Sequence, residues 1–404
     1  MYALKYNFYA IFIIFKTRKS IMLLPNVLSP QPLTNAKHAN NSVSARQIAF
    51  LAAFLLPASK LLEAPSILAK HAAGDLLFPA VLHFLVQALV LLGVLYTSSK
   101  SATPLIERLK SVLGKGVYPF YLLYAAYFLL SATLPLLDTE KFVYATYFDT
   151  APTLFSFGIF FLFSAFVCTK GITAIGRCAD LCIFLFLVPF LALSFMAFSE
   201  TDFSTLLPFF STKLNRSLTA FTRTSPHFSD TILLFPLIAN LRYREKDGIK
   251  IVTGYAAGGA FTLLFLAIFY GLFSTIAPRE HYAFTKIGQY FPALSVVGRI
   301  DLLFVYFLSV VLLFYTCLPL QYLTTALAHL FRTERKTYIS ALLNFALLIG
   351  ILFFNQKYNR FYAVISGKLA PVFWIFADLL PLLCLLLPTQ KIGGRYALND
   401  KNPL

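Results

Sequence analysis

LLPASKLLEAP, Leu55 to Pro65, is the stretch on which the architecture turns. It lies inside an apolar run, residues 46–69. A hydrocarbon core about 30 Å thick takes ~20 apolar residues of helix to cross, and the run is long enough. Yet the stretch carries two prolines, a lysine and a glutamate. Pro57 and Pro65 each remove a backbone donor and disfavour a helical residue before them. Lipid cannot satisfy a freed backbone group, so irregular chain at this depth must face protein or a water-filled cavity. The expectation is a broken first spanning helix, with Ala58, Ser59 and Lys60 at the break. Lys60 and Glu63 are three apart and placed to pair on one helical face. A charge at mid-membrane costs roughly 2.5–3.5 kcal/mol on insertion scales, which favours a functional site there over a self-satisfied pair.

The composition sets the class. The 404 residues are 58% hydrophobic and only 13% charged, where soluble chains carry about 25% charged residues. So little polar surface cannot cover a water-soluble body, and the chain is expected to be a polytopic membrane protein. Ten apolar runs occur, at 46–69, 76–97, 117–137, 151–169, 174–198, 218–241, 251–276, 300–328, 338–355 and 370–388. None alternates with a period of two, so helices are expected and a barrel is not.

The net charge of +17 sits in short loops between these runs. No basic stripe interleaves with aromatics, so the charges set topology and no nucleic-acid partner is expected. With the N-terminus inside, 22 of the 34 Lys and Arg fall on the cytoplasmic side and 11 opposite, Lys60 counted with neither, which places both termini in the cytoplasm. Residues 1–45 form an N-terminal cytoplasmic or interfacial segment, partly flexible, with translation starting at Met1 or Met22. Residues 46–388 form the membrane domain and 389–404 a cytoplasmic tail. Cys168, Cys178, Cys182, Cys317 and Cys384 lie in or beside apolar runs, as small hydrophobes would. They form no CxxC pair or Cys/His cluster, so neither a metal nor another cofactor is expected. GxSxG, HExxH and GxxxxGK are missing, so no enzyme is expected.

The sixth run repeats the fault of the first. It reads RTSPHFSDTILLFP, Arg223 to Pro236, with Pro226 and Pro236 flanking His227 and Asp230. A broken helix thus opens each five-helix half. Matching interrupted segments in two halves point to a transporter site between inverted repeats. Half-helix ends offer free N–H groups to a carboxylate and free C=O groups to a cation, the chemistry a zwitterionic amino acid needs.

Five stretches now carry a resemblance: SARQIAFLAAFLLPASKLLEAPSILAKHAAGD at 44–75, ITAIGRCADLCIFLFLVPFLALSFM at 172–196, DFSTLLPFF at 202–210, FSDTILLFPLIANL at 228–241 and RIDLLFVYFLSVVLLFY at 299–315. Together they resemble the spore germination permeases, the B-type subunits of Ger-type germinant receptors, within the amino acid–polyamine–organocation superfamily. The similarity spans roughly Ser44 to Pro388. It implies an all-α LeuT-like fold of about ten transmembrane helices, with broken first and sixth helices. It also implies a small amino-acid-like ligand at the midplane, A-type and C-type receptor subunits as partners, surrounding membrane lipid, and residence in the inner spore membrane. Two places depart from the family pattern. Ala58, Ser59 and Lys60 stand where small residues, often glycine, are usual, and Leu76, Leu77 and Phe78 stand where a tryptophan is common.

The candidate ligand-binding residues are Ala58, Ser59, Lys60, Leu61, Glu63, Tyr124, Ser225, His227, Asp230 and Ser309. Lys60 is a candidate stand-in for a sodium ion among carbonyls of the first and eighth helices. Asp230 has three choices, a ligand ammonium, His227 or a backbone N–H as a helix cap, with the cap favoured. Asp378 is a proton-coupling group or a partner for Lys60. Asp180 is expected to pair with Arg177, and Asp301, after Arg299, to cap the eighth helix. Tyr121, Tyr124 and Tyr127 form a pocket wall or ordinary packing. Ser309 and Thr316 are candidate cavity hydroxyls. His83 and Gln87 are expected to bond across helices, and Gly254, Gly258 and Gly259 to give a close-packing face. The favoured function is an amino-acid-sensing, permease-like receptor subunit. The alternatives are an autonomous proton-coupled or exchanging permease for amino acids or organic cations, and a structural or ion-conducting subunit.

Overall fold

Residues 43–99, 113–147, 153–208, 210–239, 241, 243–244, 246–291, 300–333, 335–354 and 357–383 are described by a computed structural model. Among them every regular element is helical. The readings on the N-terminal segment and the tail lie outside these residues, as do Cys384, Arg299 and the side chains of Cys178 and Asp301.

The first run is a bent pair, α1 (Ala45–Lys60) followed by α2 (Ala64–Ala72), with a bend of 62°. Ser44 starts α1 through a capping box with Gln47. Pro57 bends α1 without ending it. Its missing N–H and its ring disturb the preceding turn, and residues Leu51–Leu55 widen into a π turn in which the Leu56 N–H reaches Leu51 O. The chain leaves helical form only at Leu61–Glu63. Ala58, Ser59 and Lys60 therefore sit in the last turn of α1 and not in unwound chain, which corrects the expectation. Pro65 explains the position. A helix would need its N–H for the Leu61 carbonyl, and proline has none.

α3 (Leu77–Ser99), α4 (Val117–Tyr147), α5 (Thr153–Thr169) and α6 (Ile172–Phe198) follow. The sixth run is α7 (Leu214–Phe228), a 3-10 turn at Thr231–Leu234, and α8 (Phe235–Ala239). α7 is continuous through Pro226, because the Ser225 hydroxyl donates to the Thr222 carbonyl that proline leaves bare, at 2.9 Å. The break falls at Ser229–Asp230, later than Pro226 suggests. Ser217, Ala220, Phe221, Thr224 and Phe228 make a buried stripe on α7 at helical spacing, while Arg216 and Thr222 are exposed.

α9 (Asp247–Phe273) leads through a 3-10 turn to the short α10 (Ala283–Tyr290). α11 (Ile300–Leu330), α12 (Lys336–Phe354), α13 (Tyr358–Ser366) and α14 (Ala370–Trp374, continued by a π turn over Ile375–Leu379) complete the described chain. α9 packs tightly on α1. A Cβ on Gly254 would fall on the Ala49 carbonyl and one on Gly258 on the Ala52 carbonyl, while Gly259 faces the Phe84 ring. The glycine face acts as expected, letting two backbones approach.

Among the described residues six helices are long and apolar enough to cross a membrane, and eight if the bent pairs α1–α2 and α13–α14 each count as one span. α5 is apolar but short, and α7 is amphipathic. In its described residues the protein is all-helical, and it is a multi-pass membrane protein.

Candidate functional site

The fold brings the two breaks together. Lys60, at the end of α1, forms an ion pair with Asp230, just past α7. Their side chains are 2% and 3% exposed. The Lys60 ammonium also donates to the Leu56 carbonyl at 3.0 Å and lies 5.6 Å from the centre of the Phe228 ring. Two opposite charges paired with one another, or bonded to backbone carbonyls as Lys60 is to Leu56 O, are the form in which a bilayer interior tolerates ionised groups.

Each break has its freed backbone groups met from elsewhere. The Phe284 N–H donates to Leu61 O and the Ala283 N–H to Leu62 O, both at 3.1 Å. Ala283 and Phe284 open α10, so these donors have no acceptor inside their own helix. The loose end of each element thus satisfies the other. At the second break the Tyr127 hydroxyl donates to Ser229 O at 3.3 Å and the Tyr322 hydroxyl to Leu233 O at 2.7 Å.

Several pairings differ from expectation. Lys60 and Glu63 do not meet, because the residues between them are not helical and the three-residue spacing loses its meaning. Glu63 instead bonds His281 Nδ1 at 2.9 Å. That contact raises the pKa of His281 above its ordinary 6.5. Asp230 precedes the 3-10 turn but caps nothing with its side chain. Asp378 accepts from Gln87 Nε2, not from Lys60. Asp180 lies 3.6 Å from Arg46, both substantially exposed. His83 does bond across helices, with its Nε2 2.8 Å from Phe221 O and 3.1 Å from the Thr224 hydroxyl, and its ring between Phe221 and Phe228.

Of the candidate residues, Ser59, Lys60, Leu61, Glu63, His227 and Asp230 surround the breaks, with Ala58 buried in the last turn of α1. Ser225 serves the α7 backbone. Ser309 bonds back to Val305 O at 2.8 Å, and Thr316 to Leu312 O and Leu313 O. Tyr124 packs among Phe120, Phe128 and Phe376, and Tyr121 stacks on His329. Of the three tyrosines it is Tyr127 that reaches a break. Spacing by three put all of them on one face without saying which one met the gap.

A cavity of about 10 Å³ lies between the broken helices, lined by Ser59, Leu62, Asp138, His227 and Tyr315 among others. That is room for about one water, so the site is closed. His227, which lines the cavity, has its Nε2 buried without a hydrogen-bond partner, and at the second break so does Asp230 Oδ1. Asp138 approaches His227 at 3.9 Å. A larger cavity of about 440 Å³ lies between α4 and α12, with Phe361. Its lining is almost wholly apolar and includes no residue of either break, so it offers nothing to a charged guest.

A profile of the spore germination proteins matches residues 42–359, most of the chain. The chain belongs to the spore germination permease family. Both breaks, the ion pair between them and α10 fall inside the matched span. This family is one of permease-type membrane proteins and not of enzymes. The spore germination permease described here is therefore a germination-associated, permease-like membrane protein. No individually curated protein matches it.

Proposed function

We propose that this permease is the ligand-sensing B-type subunit of a germinant receptor in the inner spore membrane. It holds a small amino-acid-like molecule between its two broken helices. The observation that carries the proposal is the unmet polar capacity at the second break. Asp230 Oδ1 and His227 Nε2 lie within four residues of chain, buried and without hydrogen-bond partners. Each such atom costs about 1–3 kcal/mol if nothing ever pairs with it, and native proteins bury few of them. A guest with donors and acceptors would remove the cost.

The arrangement proposed is the LeuT-like one, with ten spans in two inverted halves. The pairs α1–α2, α7–α8 and α13–α14 each count as one span, α5 counts as another, and a break opens each half. Ligand binding shifts a two-state bundle that the A-type and C-type subunits read. Because the cavity is closed, the ligand-competent state is the one in which α1 and α7 have parted.

The test is a thermal-stability screen of the purified protein in lipid nanodiscs against the common amino acids. At least one raises the melting temperature of the wild type, and Asp230→Asn loses that rise. No shift with any of them contradicts the proposal. Uptake of the active amino acid into liposomes by this chain alone would favour an autonomous permease over a sensor.

A further inference from the structure

We infer that Asp378 is a proton-binding site: in the closed bundle it is held as a neutral carboxylic acid that shares two hydrogen bonds with Gln87. The ligand is the proton itself, and the site stands apart from the Lys60–Asp230 pair.

The atoms of the contact lead there. Asp378 lies in the π turn of α14 and Gln87 midway along α3. They are 9% and 1% exposed. Gln87 Nε2 donates to Asp378 Oδ1, while Gln87 Oε1 is buried with no partner. A carboxylate only accepts hydrogen bonds, and so does an amide oxygen. An ionised Asp378 therefore leaves Oε1 unmet. A protonated one has an O–H on its second oxygen to donate to Oε1, and both ends of the amide are then satisfied. The same holds with the amide turned over, since its oxygen would then face Asp378 Oδ1 and need a proton there.

The charges around the site agree. Among the described residues no lysine, arginine or histidine pairs with Asp378. The titratable groups that face it are Tyr127 of α4 and Tyr255 of α9. His83, one turn before Gln87 on α3, is bonded to Phe221 O and the Thr224 hydroxyl, and Lys60 is taken by Asp230. Asp230, just before the 3-10 turn on which the π turn packs, is the other acid on that side. A charge at membrane depth persists only when it is paired, and an unpaired buried one is neutralised. Asp230 is held by a lysine and Asp378 by a proton.

Its position gives the proton a consequence. The π turn packs on the 3-10 turn Thr231–Leu234 that follows the second break. Tyr127 joins the two, its ring stacked on Phe376 of the π turn and its hydroxyl on Ser229 O. Such π turns inside helices recur at functional sites. Loss of the proton leaves a lone carboxylate, which draws water between α3 and α14 and loosens the second break. The step is an acid dissociation. The O–H bond of Asp378 breaks, its electron pair stays on the carboxylate, and the proton passes to the entering water.

The test compares the full wild-type chain with Asp378→Asn and Gln87→Leu in nanodiscs and needs no ligand but the proton. Infrared spectra at neutral pH are expected to show the C=O stretch of a hydrogen-bonded neutral acid in the wild type. That band is absent from Asp378→Asn and moves to higher frequency in Gln87→Leu. Asparagine keeps the neutral shape and an N–H for Oε1, so Asp378→Asn melts no lower than wild type. Its advantage grows as the pH rises from about 5 to about 8, because the folded wild type must hold a proton that the unfolded chain releases. His281 titrates in both proteins and cancels in the difference. Amide exchange at Leu233, whose N–H donates to Asp230 O at 2.9 Å, is corrected for intrinsic rates. It speeds up over that pH range in the wild type and not in Asp378→Asn. Should Asp378→Asn fail to fold, the infrared difference between wild type and Gln87→Leu decides alone. No acid band in that difference, or an Asp378→Asn variant that melts below wild type by a margin independent of pH, overturns the inference. Leu233 exchange without excess pH dependence in the wild type overturns the link to the break. Neither result bears on the Lys60–Asp230 site.

Discussion

Two tyrosine hydroxyls are the clearest test of what holds the second break open. Tyr322 reaches Leu233 O at 2.7 Å and Tyr127 reaches Ser229 O at 3.3 Å. Both are buried, so their loss leaves a carbonyl unmet in a place without water. Tyr322→Phe is expected to cost about 1 kcal/mol or somewhat more, and Tyr127→Phe less because its bond is longer. Thermal denaturation in a fixed detergent checks the order. A larger loss for Tyr127→Phe would mean that its ring packing against Phe373 and Phe376 depends on the hydroxyl. At this scale the sequence was informative about which residues are unusual and poor about whom they touch. Lys60, Asp230, His227 and Glu63 stand out because charge and proline are rare in apolar runs. Their partners do not stand out, since spacing rules hold only while the helix does. Lys60 and Glu63 are three apart in number but are separated by non-helical chain. Asp230 and Lys60 are 170 residues apart, beyond the reach of any local pattern.

The breaks themselves belong to the scale of elements. Pro65→Ala would restore an N–H able to reach Leu61 O, in competition with Phe284. The expected result is a straighter first helix and faster hydrogen exchange at Phe284, while Pro57→Ala leaves that exchange unchanged. The link between α10 and the first break is also pH-dependent. The pKa of His281 is raised by its hydrogen bond to Glu63, so the stabilisation is complete below about pH 6.5, the ordinary value for histidine. It fades as the pH rises through the raised value. Exchange protection of the first turn of α10, corrected for intrinsic rates, should therefore fall from pH 6 to pH 8, and His281→Gln should flatten the dependence. A third element-level test concerns α9 against α1. Gly258→Leu drives a side chain into the Ala52 carbonyl and is expected to cost about 1–3 kcal/mol by overpacking, with folded yield falling. The prolines of the first and sixth runs marked a break in each but put both a few residues early, and the bend of 49° between α13 and α14 was not foreseen. The reason is physical: a proline disturbs the turn before it, and a hydroxyl such as that of Ser225 can cover the carbonyl it leaves bare.

For the whole molecule, charge asymmetry and helix order together predict the sidedness of the loops. Single cysteines at Lys246 and Lys336 are expected to be shielded from a membrane-impermeant maleimide in intact cells. Cysteines at Lys213 and Arg279 are expected to react, all four sites being exposed in the structure. The membrane setting was legible from composition, and the helical class from the lack of period-two alternation, which argues against a barrel, the other arrangement that satisfies a spanning backbone. The sixth run was the least legible span. Its α7 portion is amphipathic, with arginines on one side and a buried stripe on the other, so hydropathy alone neither fixes its start nor shows it as a spanning helix. The small size of the cavity could not be read from the sequence either, since it depends on how closely α1, α4, α7 and α11 approach.

The meeting of the two breaks through Lys60 and Asp230 is tested most directly by a double-mutant cycle on that pair, read as thermal stability of the purified protein. Lys60→Met and Asp230→Asn are each expected to cost several kcal/mol, about 3–5 for a broken buried pair. The double variant should recover most of the loss, a coupling well above the few tenths seen for distant sites. Strictly additive losses would mean that the two side chains do not meet, and the site built on them would fall.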